Sequence, residues 1–122
     1  MQIRDRMDRE ELPSLLAEHN VGVAYTPQVP WFEHQPSTKV FEYLQSGLLC
    51  IATDNEANRE IISADNGVLI SDSAAGFRGG LEQAAAKLAN WSPQQVVESV
   101  RDHTWQAIVT ENLAPYLERI TA

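Results

Sequence analysis

The run "LLCIATD", residues 48–54, narrows the possible folds more than any other stretch, because it is almost wholly apolar and shows no alternation. A strand with one wet face alternates apolar and polar residues. An unbroken apolar run bounded by turn residues therefore predicts a strand covered on both faces, which is the habit of parallel sheets sandwiched between helices. Its neighbours fit that pattern. "VGVAYTP", residues 21–27, is a short valine- and tyrosine-rich run closed by a proline, and "NGVLISD", residues 66–72, starts a third strand from the turn pair Asn66–Gly67.

Between and around these runs the apolar period changes to that of a helix. Leu12, Leu15 and Leu16 mark a helix over 9–19, with acidic residues at the start, where the helix dipole favours them. "NEANREII" reads as a short helix or turn. Phe77, Leu81, Ala84, Ala85 and Leu88 mark another helix, weakened in its first turns by Gly79 and Gly80, and two more follow over 93–101 and 104–120. In the last of these Trp105, Ile108, Val109, Asn112, Leu113, Tyr116, Leu117 and Ile120 step at three and four residues, which predicts a core-packing face, interrupted at Pro115. The expectation is one α/β domain over 1–122, a Rossmann-like half-domain of three to four parallel strands with helices on both faces. Three strands are few for a stable sheet, so either a fourth strand over Gln2 to Arg4 or a partner chain is expected on the exposed edge. A chain of this length is expected to bury roughly two thirds of its unfolded surface.

Nine basic residues against seventeen acidic ones give a formal net charge of -8. That balance repels a phosphate backbone and disfavours nucleic acid as the partner. No apolar run approaches the roughly 20 residues of a membrane-spanning helix, and "MQIRDRMDREELP" lacks the apolar core of a signal peptide. Cys50 is the only cysteine and lies inside an apolar strand, which excludes an internal disulfide, suits a reducing cytoplasmic setting and predicts an inert thiol. No spacing suggests a metal site, and His19 and His103, near helix ends without acidic or serine companions, read as surface or capping residues.

In parallel sheets ligands bind where strand ends pass through loops into helix starts. "QVPWFEHQ", residues 28–35, is such a loop, and it runs into "PSTKVFEYLQSG", residues 36–47. Wound at 100 degrees per residue, the latter gathers Val40, Phe41, Tyr43, Leu44 and Gly47 in one arc and leaves Lys39, Glu42, Gln45 and Ser46 on the other. Pro36 suits the first helical position, with Ser37 as the alternative cap, and Gly47 suits the stop. The amides around Ser37, Thr38 and Lys39 are suited to a phosphate, while Glu42, one turn on, is suited to a pair of sugar hydroxyls. Two readings stay open on pattern alone: a nucleotide site, or a capped helix with Lys39 and Glu42 in water.

"PSTKVFEYLQSGLLCIATD", with "NREII", "NGVLI" and "HTWQAIVTENLAPYLERI", resembles the C-terminal domain of the group 1 glycosyltransferases, retaining nucleotide-sugar-dependent enzymes of the GT-B fold. The likeness runs from about Leu12 to about Ile120, with the proline, lysine and "EYL" segment its most specific part. It implies that Glu42 bonds the donor ribose and that Ser37, Thr38 and Lys39 hold the diphosphate of a UDP- or GDP-linked sugar. Many members carry a second glutamate that touches the donor sugar; its place here is held by His34, with Glu33 one step out of register. His34 reads either as a hydroxyl contact or as an ordinary loop residue. The resemblance implies no cofactor and no metal. It implies glycosyl transfer to an acceptor hydroxyl in carbohydrate biosynthesis, and a cytoplasmic protein at or near the inner face of a membrane. It also implies an N-terminal Rossmann-like domain as partner, without which the chain alone is expected to be inactive; self-association is the alternative way to cover exposed surface. A glutamate common in the family's next segment matches Glu60, which reads equally as a solvated charge. The rival reading is a non-catalytic α/β protein-interaction module. A receiver-like signalling domain is poorly supported, because no acidic cluster closes the first strand and Asp54 ends a later one.

Overall fold

The computed structural model describes all 122 residues. Its elements run α1 (Leu12–Ala17), β1 (Val21–Ala24), α2 (Thr38–Gln45), β2 (Leu49–Thr53), α3 (Glu56–Arg59), β3 (Gly67–Ile70), α4 (Ala74–Lys87), α5 (Pro93–Ser99), α6 (Trp105–Ala107) and α7 (Ala114–Thr121). The three strands form a single parallel sheet in the order β1-β2-β3. The α/β half-domain is therefore present with three strands. The fourth strand expected over Gln2 to Arg4 is not formed: residues 1–8 carry no regular structure, and Gln2 and Arg4 only border an open hollow beside β1 and α1. The outer edge of β1 is left without a strand.

The register explains how both faces are covered. Val23, Ile51 and Val68 stand opposite one another, as do Gly22, Cys50 and Gly67, so the two sets point to opposite faces. On one face Cys50 and Ala52 pack with Val40 and Leu44 of α2 and with Val96 and Val100 at α5. The helix comes so close that a Cβ on Gly22 would meet the Tyr43 ring at 2.4 Å. On the other face Ile51, Val68 and Ile70 pack with Ala84 of α4, and a Cβ on Gly80 would meet Ile70 Cγ2 at 2.4 Å. Gly80, a weak helix former in sequence terms, is thus the point of closest approach between α4 and the sheet. All five residues of β2 are buried, as the unbroken apolar run demands.

The turn from α2 to β2 closes as a Schellman motif. Gly47 has φ of +81°, its amide donates to the Leu44 carbonyl, and the Leu48 amide donates to that of Tyr43. The Trp91 indole N–H donates to the Gly47 carbonyl at 3.0 Å and locks the turn from outside.

Coverage stops there. α4 lies over β2 and β3, so Val23 and Tyr25 of the β1 side remain exposed. The C-terminal segment departs furthest from the core-packing expectation. α6, a π-helical stretch (Ile108–Leu113) and α7 form one rod over 105–121 with no buried residue in it. The π turns sit directly before Pro115, and the Ala114 amide donates to Val109, five residues back. That widening makes room for a ring that would crowd the preceding turn of an ordinary α-helix. The apolar stripe of the rod follows from periodicity, but none of it is buried against the rest of the chain. The accessible surface is 8708 Å², about a third more than the roughly 6,600 Å² of a compact monomer of this mass. Little more than half of the unfolded surface is buried, on the same scaling, rather than two thirds.

Candidate functional site

The carboxyl ends of the strands carry three loops stitched together by polar groups. Gln28 is the central stitch. Its amide donates to Asp72 Oδ2 at 3.1 Å, its side-chain oxygen accepts from the Asp72 amide at 3.0 Å, and its Nε2 donates to the Asp54 carbonyl at 2.8 Å. The Tyr25 hydroxyl donates to Asp72 Oδ1 at 2.7 Å. That bond, with the Gln28 amide, holds the Asp72 carboxyl below its ordinary pKa, and the same carboxylate raises that of Tyr25. The Thr26 amide donates to Thr53 Oγ1 at 2.8 Å. The loop after β1 is therefore fixed to the ends of both other strands.

A second set of contacts secures its far half. Glu33 Oε1 accepts from the Glu56 amide at 2.9 Å, and the Ala57 amide donates to the Glu33 carbonyl. Arg59 donates from Nε to Asp54 Oδ1 at 2.6 Å and has Nη1 3.9 Å from Glu33 Oε1; the hydrogen bond to Asp54, with that carboxylate's charge, raises the guanidinium pKa. Arg59 is thus committed to the loop and is not a free cation. Asn55 caps α3 by accepting from the Asn58 amide, and its Nδ2 reaches the Phe32 carbonyl at 3.3 Å.

This stitching holds open a cleft of about 360 Å³ between the end of β1 and the start of α2, bordered by Tyr25, Pro27, Phe32, Gln35, Ser37 and Thr38. Ser37 is the cap of α2 and Thr38 its first residue, so Pro36 stands one place outside the helix rather than at its first position. Ser37 takes the extended cap conformation. Its hydroxyl caps nothing within the helix. The amides of Ser37, Thr38 and Lys39 make no backbone hydrogen bond, the Val40 amide being the first of this turn to find a carbonyl.

Lys39 and Glu42 are exposed and form no ion pair or side-chain hydrogen bond within the chain. Glu42 lies one helical turn beyond Thr38 on the same side, about 6 Å along the axis. Burial of Val40 and Leu44, with Phe41 and Tyr43 half-buried, fixes the outward direction of both charges. His34 is placed elsewhere. Its Nδ1 lies 3.2 Å from Glu56 Oε2, in a neighbouring hollow with Phe41, Glu60 and His103, so it does not border the cleft of Ser37 and Thr38. His103 stacks on Phe41 with ring centroids 5.5 Å apart, and His19 Nδ1 lies 2.7 Å from the Leu15 carbonyl at the end of α1. No group of three or more His, Cys, Asp or Glu is placed to hold a metal ion.

Gln28, Asp72 and Arg59, which build the site's frame, carry no sequence signal of their own. Gln28 and Asp72 meet across 44 residues, while Arg59 pairs with Asp54 five residues back and has Glu33 beside it only through the fold. Fold and site define an α/β half-sheet with a rigid, loop-walled cleft at the strand ends. Comparison with protein-family models, curated proteins and solved structures found no match to this chain.

Proposed function

We propose that this chain is the donor-binding half of a group 1, GT-B-type glycosyltransferase. In this reading the cleft takes the diphosphate of a UDP- or GDP-linked sugar and Glu42 takes the ribose hydroxyls. The observation that carries it is the pairing of unsatisfied amides at Ser37, Thr38 and Lys39 with a partner-free Glu42 carboxylate one turn away. Amides at a helix start suit phosphate oxygens, and a carboxylate accepts two hydroxyl protons without strain. The Lys39 ammonium, unpaired, supplies the charge that an otherwise acidic surface lacks. Arg59 is spoken for by Asp54 and Glu33, so Lys39 stands as the cation of this turn.

In the complete reaction the bond from the anomeric carbon to the diphosphate oxygen breaks and a bond to the acceptor oxygen forms on the same side of the sugar. The acceptor proton leaves with the nucleoside diphosphate. Acceptor recognition belongs to a second Rossmann-like half, and this chain alone has no transferase activity. His34, held toward Glu56, contacts the donor sugar only if it turns out of that pair.

Calorimetric titration with UDP and GDP tests the reading. Weak saturable binding that Glu42→Gln lowers at least about tenfold, the scale of one lost charge-assisted hydrogen bond, supports it. No binding at millimolar nucleotide favours the second reading, a non-catalytic interaction module, for which the uncovered rod over 105–121 speaks. Steady glycosyl transfer by the chain alone, abolished by Glu42→Ala, would overturn the division into halves.

A further inference from the structure

Asn66–Gly67, the turn pair before β3, is the one asparagine–glycine step in the chain. Such a step is chemically labile, because no side chain on the second residue keeps its nitrogen from reaching the asparagine carboxamide. We propose that Asn66–Gly67 is a masked deamidation site: the fold shuts the reaction off, and a chain that opens long enough to react loses the contacts that would let it refold. The proposal is independent of what the cleft binds.

The reaction needs only water. The Gly67 nitrogen attacks Asn66 Cγ, the Cγ–Nδ2 bond breaks, and ammonia leaves with the proton lost from the Gly67 amide. Water then opens the cyclic imide at either carbonyl, giving an aspartate, or an isoaspartate whose main chain runs through the side-chain carbon. In the fold each participant is held back. Asn66 is 1% exposed, so water is excluded. Its Oδ1 accepts from the Ser63 amide at 2.8 Å, and its Nδ2 donates to the Ile61 carbonyl and to Ser99 Oγ, both at 3.0 Å. The Gly67 amide donates to the Ser63 carbonyl at 3.1 Å. Nucleophile and carboxamide are thus each fixed to other partners.

The fold needs both residues of this labile step. A Cβ on Gly67 would collide with the Cys50 carbonyl oxygen of β2. At position 66 the side chain must accept from Ser63 while donating to Ile61 and Ser99, which a carboxylate cannot do. Deamidation therefore removes what the turn rests on. An aspartate at 66 turns an oxygen toward the Ile61 carbonyl, and Ser99 Oγ already donates to the Val96 carbonyl at 2.6 Å. Lys87 Nζ, which ties the same turn to α4, is occupied by the Ala64 and Gly67 carbonyls at 2.6 and 2.8 Å. The result is a buried charge without a partner. The isoaspartate adds a carbon to the main chain just before the register that sets Gly67 opposite Cys50, so β3 loses its alignment with β2.

Peptide mapping by mass spectrometry tests this on the full chain, incubated at mildly alkaline pH with and without guanidinium chloride. Deamidation at Asn66 is expected to be at least about a hundredfold slower in the folded chain, a lower bound for a reaction confined to the unfolded fraction. Gly80→Ala, whose loss of stability arises at the contact of α4 with the sheet, is expected to raise the folded-state rate about tenfold and to leave the rate in denaturant unchanged. Chains deamidated in denaturant and returned to native buffer are expected to stay protease-sensitive, depleted at least about tenfold from the resistant fraction. Equal rates with and without denaturant, a Gly80→Ala chain that deamidates no faster than the parent, or deamidated chains that recover protease resistance as fully as unreacted ones overturn the proposal.

Discussion

Gly79 and Gly80 are neighbours on α4, yet replacing each by alanine is expected to move stability in opposite directions. A Cβ on Gly79 meets nothing within 4 Å. Alanine there gains the helix propensity and unfolded-state entropy that glycine lacks, about 0.5–1 kcal/mol. A Cβ on Gly80 would lie 2.4 Å from Ile70 Cγ2 and 3.3 Å from Ile51 Cγ2. Both isoleucines are buried, at 6% and 0% exposure, and both are β-branched and stiff, so neither can swing away. Either α4 lifts from the sheet or the isoleucines leave their rotamers, at about 1–3 kcal/mol. The propensity gain offsets part of that, leaving a net loss of about 1–2 kcal/mol. For 122 residues, 1 kcal/mol corresponds to about 4 °C in midpoint. Thermal unfolding followed by circular dichroism should then show Gly79→Ala melting about 2–4 °C above the parent and Gly80→Ala about 4–8 °C below it. The same sign for both, or the reverse order, would mean that α4 presents a different face to β2 and β3.

Two further outcomes follow from ionisation. Burial pushes the Cys50 thiol from 9.0 up to about 12, so at neutral pH a thiol reagent should label it only as fast as the chain unfolds; rapid labelling of the folded protein would refute its place in the core. Its raised value also means that stability is retained below the ordinary thiol range and declines as pH rises from there toward the folded-state value. Asp72 is held low and Tyr25 high by their shared hydrogen bond. The bond is therefore fully present above the ordinary carboxylate range of about 3.9 and below the ordinary phenol range of about 10. It is lost as pH falls through the lowered value of Asp72 or climbs through the raised value of Tyr25. Asp72→Asn should speed hydrogen exchange at the Gln28 amide while leaving the thermal midpoint nearly unchanged; protection equal to the parent would show that the Gln28 stitch does not depend on the carboxylate.

Sequence alone determined the elements whose signal is local. The apolar run of β2 demanded two covered faces. Alternation of strand and helix demanded parallel pairing, and Gly47 marked the stop of α2 because only a residue tolerant of positive φ closes that turn. The outward direction of Lys39 and Glu42 was legible too, since it is the complement of a buried stripe wound at a fixed angle. Local pattern also yielded the stripe on the rod over 105–121, but periodicity reports only that one side is apolar and never what lies against it. Tertiary structure decided the rest. The sheet ends at β1 without a fourth strand, and the rod buries none of its stripe within the chain. His34 turns to Glu56 because α3 brings that carboxylate beside the loop. Gln28, Asp72 and Arg59 become the frame of the cleft through pairings set by strand order. The Gln28–Asp72 and Arg59–Glu33 contacts join residues far apart in sequence, and no period or motif of either partner encodes the distance between them.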